Sequence, residues 1–253
     1  MKADTSARED LSAQLDTLGQ ALLAGSLPGG PRWPDERTQL NYTGASGENL
    51  MKRTTDFAKI LAANVPALAT RNWRGLDYGV GWGRIASVMT QFGDAMALDC
   101  VDAWAKSLEL ARAGGLRNRM MQVPALLGPT ELGVGAYDFV YSYSIFTHLP
   151  KNLFINNLEV LFRSLKPDGR LVFTVREPKF MEFLARSGKV NPVEDRLAED
   201  GYWFGNAQSA DYGDTITSEA WLKTHVGHLG EITPLGVAAS EPFQSILMLT
   251  RPA

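Results

Sequence analysis

Residues 76–86 read LDYGVGWGRIA, with Gly79, Gly81 and Gly83 at every second position directly after an apolar approach. Glycine costs roughly 0.5–1 kcal/mol in conformational entropy inside ordered structure, so this density needs a reason. Without a Cβ the backbone turns sharply and comes close to a ligand, and a helix that follows offers unpaired N–H groups. Asp99 lies 20 residues after Gly79, at the expected end of the next strand, where a carboxylate can accept both hydroxyls of a ribose. The chemistry suits a nucleoside-bearing cofactor. GWGRIA also has the Gly81, Gly83, Ala86 spacing of a dinucleotide fingerprint, so the loop alone does not identify the ligand.

The histidines are the next candidates. His148 is expected at the start of the helix that follows a strand, and an imidazole there can serve as a general base because it titrates in the useful range. It can equally pack or cap the helix, and the sequence leaves both readings open. His225 and His228 are spaced i, i+3 but have no cysteine or acidic cluster around them, so they read as a solvated helix end and no metal site is expected. For substrate contact the candidates are Tyr42 and Thr43 in QLNYTGASGEN, then Arg176, Glu177, Tyr202, Trp203, Phe204 and Tyr212, which offer aromatic faces and hydrogen-bonding tips to a polar molecule. The same aromatics can instead pin their loops to the core.

These residues need a frame that holds them. Leu11, Leu15, Leu18 and Leu22 repeat at helical spacing and stop at Gly25, and ENLMKRTTDFAKILAANVP predicts a second amphipathic helix. From there short apolar strands alternate with helices, the pattern of a parallel sheet. RGLDYG, AMALDC, YDFVYSYS and RLVFTV read as strands, the last entered through a tight KPDG turn. LFINNLEVLFRSL is a helix with Phe154, Leu158, Leu161 and Leu165 on its buried stripe. Beyond Val175 the periodicity loosens, and residues 178–217 read as an insertion on the substrate side.

Composition narrows the function. A chain of 253 residues, 45% hydrophobic and 21% charged, is expected to bury a sizeable core without staples. One cysteine, Cys100, builds neither a disulfide framework nor a zinc cluster and points to the cytoplasm. A net charge of −3 argues against nucleic acid as a partner, and no stretch has the apolar length of a signal peptide or a membrane span.

Over residues 50–253 the chain resembles the class I S-adenosylmethionine-dependent methyltransferases. LDYGVGWGRIA is similar to their first motif, ALDCVD to the acidic end of their second strand, YDFVYSYSIFTHLP to the fourth strand and its helix, and LFRSLKPDGRLVFTV to the helix, turn and fifth strand. The resemblance implies an α/β, Rossmann-like, doubly wound sheet of seven strands, mostly parallel with an antiparallel last strand. It also implies a helical lead-in over residues 1–50 and a cofactor-binding domain over 51–253. Carried over, Asp77 and Gly79 would border the methionine part of S-adenosylmethionine, Gly81 and Gly83 would allow close approach, Asp99 would hold the ribose, Val101 and Asp102 would flank the adenine, and Tyr141 with Ser142 would close the pocket. Relatives often place an acid before the fourth strand, whereas MQVPALLG has none, so Val123 to Leu126 offer the adenine only apolar and backbone contact. The reading is methyl transfer to a hydroxyl of a small-molecule acceptor, such as a sugar or a natural product, with His148 as the candidate base and nitrogen left open as the acceptor atom. A nicotinamide-dependent oxidoreductase and a non-catalytic cofactor-binding module are the rival readings, and the sequence encodes no oligomeric state.

Overall fold

The computed structural model describes residues 2–27, 30–70, 72–190, 197 and 201–253, with side chains described from residue 13 onward. In chain order the elements are α1 (Lys2–Leu23), α2 (Glu36–Thr43), α3 (Gly47–Asn64), α4 (Ala67–Thr70), β1 (Gly75–Tyr78), α5 (Ala86–Met89), β2 (Leu98–Asp102), α6 (Ala105–Ala113), β3 (Arg119–Gln122), β4 (Tyr137–Ser142), α7 (Lys151–Ser164), β5 (Leu165–Val175), α8 (Lys179–Arg186), β6 (Tyr202–Ser209), β7 (Tyr212–Thr217), α9 (Glu219–Val226), β8 (Ile232–Ala238) and β9 (Glu241–Thr250). Seven strands form one sheet in the order β3-β2-β1-β4-β5-β9-β8, and β6 with β7 forms a separate hairpin. The sheet is the Rossmann-like one the sequence predicts, and its closing strand β9 runs antiparallel to β5. The chain divides into two compact units, residues 1–123 with 238–240 and residues 124–237 with 241–253.

In the first unit β1, β2 and β3 are parallel, with Asp77 opposite Cys100 and Asp99 opposite Arg119. Every residue of β1 and β2 is buried, as a strand covered on both faces requires. β3 is a strand that sequence reading passed over. Its residues are exposed or half-buried, so RMMQ carries no apolar run to betray it. Leu15 and Leu22 of α1 and Leu50, Phe57 and Leu61 of α3 are buried in the helical layer, while the side chain of Leu11 lies outside the described part. The lead-in belongs to this unit. Asp35 caps α2 by accepting from the Thr38 N–H at 3.0 Å, and α2 ends at Gly44, whose φ of 69° suits the left-handed turn. Upstream, the Trp33 indole N–H donates to Ser87 Oγ at 3.0 Å, and its ring meets that of Trp82 edge-on at 5.0 Å.

In the second unit β4 and β5 are parallel, and β9 sets Ser245 opposite Val175. The KPDG turn is taken up within β5 itself. The register jumps from Tyr137 opposite Leu165 to Phe139 opposite Arg170, and Asp168 at φ 61° is pinned as its N–H donates to the Arg251 carbonyl while the Arg251 N–H donates to the Gly169 carbonyl. Phe154, Leu158 and Leu161 of α7 are fully buried, each worth about 1.5–3 kcal/mol. The predicted insertion is ordered by α8 and the β6–β7 hairpin, where Phe180, Leu184, Trp203 and Ile216 form a small core of their own. Residues 191–196 and 198–200 of that segment lie outside the described residues.

Candidate functional site

The glycine loop follows β1 directly. Gly79, Gly81 and Gly83 all have positive φ, at 83°, 56° and 92°. The N–H groups of Gly79 and Val80 both donate to the Val101 carbonyl, at 2.9 and 3.0 Å, which ties the loop to β2. A Cβ on Gly83 would meet Leu116 at 2.9 Å, whereas one on Gly81 would meet only the Tyr42 ring, at 3.8 Å. Gly83 therefore serves packing, and Gly81 opens a face.

Two sequence assignments change here. Asp99 is the second residue of β2, not its end; it is 1% exposed, and Arg119 and Arg74 hold its carboxylate at 2.5 and 3.2 Å. It balances two guanidinium groups in the sheet and has no role left for a ribose. The strand ends instead at Asp102, whose Oδ2 accepts the Gly81 N–H and whose Oδ1 accepts the Trp104 N–H, both at 2.8 Å. An ionised carboxylate offers about four acceptor positions, so acceptor capacity remains for a ribose hydroxyl. Burial lifts the Asp102 carboxyl above the ordinary range, against the pull of the N–H groups of Trp104, Gly81 and Ala103. Val101 cannot flank a ligand, because its side chain is wholly buried. The exposed aromatic beside the strand end is Trp104, half of whose surface is open and which the sequence reading missed. The same geometry disfavours a dinucleotide: its diphosphate would need N–H groups of this loop, and a carboxylate already occupies the one on Gly81. Asp77 is buried within β1.

Tyr42 and Thr43, expected on the substrate side, belong to the first unit with the loop. Thr43 Oγ1 bonds to the carbonyls of Gln39 and Ala45, at 2.8 and 2.9 Å, which closes its own helix. Tyr42 Oη lies 3.4 Å from Ser107 Oγ.

The second unit gathers several other candidates. Tyr141 and Ser142 end β4 fully buried, and Ser142 Oγ has no hydrogen-bond partner among the described residues. His148 precedes α7 rather than starting it, and its Nδ1 lies 2.6 Å from the Gly213 carbonyl. A carbonyl only accepts, so Nδ1 carries the proton and Nε2 the lone pair. Burial first, and then the Arg176 charge, push the imidazole down to about 4, against smaller opposing contributions from Gly213 and Asp214. The ring stacks on Tyr212 at 4.6 Å. Arg176 donates to Asp214 at 2.5 Å and covers Phe180, and Asp214 also accepts from Asn206 at 3.0 Å. Phe204 lies against Gly213, where an added Cβ would meet it at 2.9 Å. His148, Arg176, Phe204 and Tyr212 thus come together around residues 213–214. Tyr202 does not join them: its hydroxyl donates to the Leu149 carbonyl at 3.3 Å and its ring packs on Trp221, so it anchors the hairpin.

Sequence reasoning also missed Ser144, whose φ of 62° is unusual for a residue with a side chain. Its N–H donates to Thr174 Oγ1, Thr174 donates to Gln244 Oε1, and the Gln244 amide donates back to Ser144 Oγ, at 2.7, 2.8 and 3.2 Å. This closed ring holds the strained residue just beyond β4. His225 stacks on Trp221 and His228 lies 3.3 Å from Glu159, so each has a local partner.

Residues 76–173 match the family model described as a methyltransferase domain. No curated protein matches the chain. Among solved structures, a protein of Pyrococcus horikoshii OT3 superposes with a TM-score of 0.62 at 13% identity, over 87% of this chain and all of that one. Magnesium protoporphyrin IX methyltransferase from Synechocystis PCC 6803, solved with bound SAH, gives 0.54 at 17% identity over 85% of this chain and 93% of that one. A Thermotoga maritima S-adenosylmethionine-dependent methyltransferase, described as a possible histamine N-methyltransferase, gives 0.55 at 16% identity over 85% and 97%. No helix among the described residues is long and apolar enough to cross a membrane.

Proposed function

We propose, from the premise that the chain is a class I S-adenosylmethionine-dependent methyltransferase, that it methylates a hydroxyl oxygen of a polar small molecule, such as a sugar or a natural product. When bound, the cofactor supplies a methyl group already activated by its sulfonium centre. Asp102 accepts from a ribose hydroxyl with the acceptor capacity that Gly81 and Trp104 leave open. Gly81 allows close approach, and Asp77 and Gly79 border the methionine part.

The observation that carries the oxygen reading is His148 held neutral with its Nδ1 proton on Gly213, which leaves Nε2 as an acceptor. An alcohol oxygen that gains a carbon becomes far more acidic than the alcohol, so even a weakly basic imidazole can take its proton. Tyr212 and Phe204 give the acceptor flat faces beside that nitrogen, and Arg176 is held in place by Asp214. The net charge of −3 and single cysteine support a small-molecule substrate in the cytoplasm rather than a nucleic acid.

The test is turnover of hydroxylated and amine acceptors by the purified chain. His148→Ala should lower kcat by about 10²–10⁴ at saturating acceptor while leaving S-adenosylhomocysteine affinity unchanged. Near-normal turnover in that variant would return His148 to a packing role, and methylation of amines alone would sink the oxygen reading.

A further inference from the structure

The lead-in ahead of the methyltransferase domain is held rigidly against the glycine loop. Trp33 is fixed at both ends, by Ser87 and by Trp82, and the Arg32 N–H donates to the Gly114 carbonyl at 2.6 Å. Gln39 reaches out of α2 to accept from the Gly47 N–H at 3.0 Å, so α2 is tied down along its length. Tyr42 occupies the last turn of this anchored helix. One edge of its ring faces Gly81, and its hydroxyl lies 3.4 Å from Ser107 in the first turn of α6. The side chain therefore runs from the glycine loop to α6. Ser107 is 1% exposed, whereas Tyr42 is only partly buried and keeps some of its surface open.

We infer that Tyr42 is a cofactor-contacting residue, laying its ring against S-adenosylmethionine as the cofactor sits on the Gly81–Asp102 cradle, so that the lead-in is part of the cofactor site and not of the acceptor site. The inference rests on the placement of the cofactor at that cradle. A tyrosine ring is suited to this, since it adds a large rigid contact at little conformational cost. It also gives the open side of the Gly81 turn a purpose, since a Cβ there would project toward the ring.

Calorimetric titration of the full chain with S-adenosylhomocysteine tests it, with thermal unfolding of each variant alongside. Tyr42→Leu keeps apolar packing against Ala45, Leu50 and Trp82 but removes the ring, and should raise Kd about tenfold. Tyr42→Phe should stay within about threefold of wild type, because the ring and not the long bond to Ser107 makes the contact. In wild type the ligand should slow tryptic cleavage after Arg37, and in Tyr42→Leu it should slow it much less. If Tyr42→Leu melts lower yet binds S-adenosylhomocysteine as wild type does, the residue only packs and the inference is overturned. Should Asp102→Ala keep full affinity while Tyr42→Leu loses it, the ribose assignment falls and the role of Tyr42 stands. A wild-type chain that fails to bind S-adenosylhomocysteine removes both.

Discussion

At His148 two neighbours act in opposite directions. Arg176 lowers the imidazole and Asp214 raises it, with burial setting the balance near 4. Because the folded value lies below the ordinary 6.5, the unfolded chain binds the extra proton first, and stability falls as pH drops from about 6.5 toward 4. Above that window the ring is neutral, so the His148 contribution to turnover should be flat through neutral pH. Arg176→Gln removes one lowering influence and frees Asp214, and the His148 midpoint should rise by about one unit or more in an NMR titration of the imidazole. An unmoved midpoint would mean that burial alone sets it. Residue types such as histidine and glycine were legible in the sequence. The choice between two aspartates three positions apart was not, because both belong to one short strand and only its register against β3 delivers Asp99 to Arg119.

The elements differ in how plainly they announce themselves. Strands buried on both faces, β1 and β2, show as apolar runs, and α7 shows its stripe, while β3 and the β6–β7 hairpin do not. β3 is barely buried, and β6 is covered only near its start, so neither needs the alternation that betrays a strand. The glycine loop is the element whose chemistry depends most on backbone shape. Gly83→Ala would put a Cβ at φ 92° and 2.9 Å from Leu116. It should cost about 1–3 kcal/mol in chemical denaturation, whether or not cofactor is present. A neutral result would mean that the Leu116 side chain and the loop both yield easily. The ring of Ser144, Thr174 and Gln244 is likewise tertiary: its members are 30 and 70 residues apart, and nothing in the local sequence joins them.

For the whole molecule the decisive comparison is between the two aspartates. S-adenosylhomocysteine at 100 times Kd contributes about 2.7 kcal/mol to the folded state, a rise in Tm of roughly 5–10 °C for a chain of this size. Asp102→Ala should lose most of that rise. Asp99→Ala should lower the baseline Tm only modestly, because the two guanidinium groups it leaves unpaired are half exposed, and keep the rise. The reverse pattern would restore the ribose role to Asp99, and a rise with NAD in place of S-adenosylhomocysteine would overturn the cofactor assignment. What the chain declares by itself is the alternation of strand and helix, the glycine loop and the motifs that resemble those of methyltransferases, because each is a local pattern of burial or backbone freedom. Tertiary structure alone decided which carboxylate stands at the strand end, that Thr43 and Tyr202 are engaged internally, and that Tyr42 faces the loop while Arg176 faces His148. Those outcomes depend on which distant side chains arrive as partners, and a buried polar group takes its role from the partner it finds.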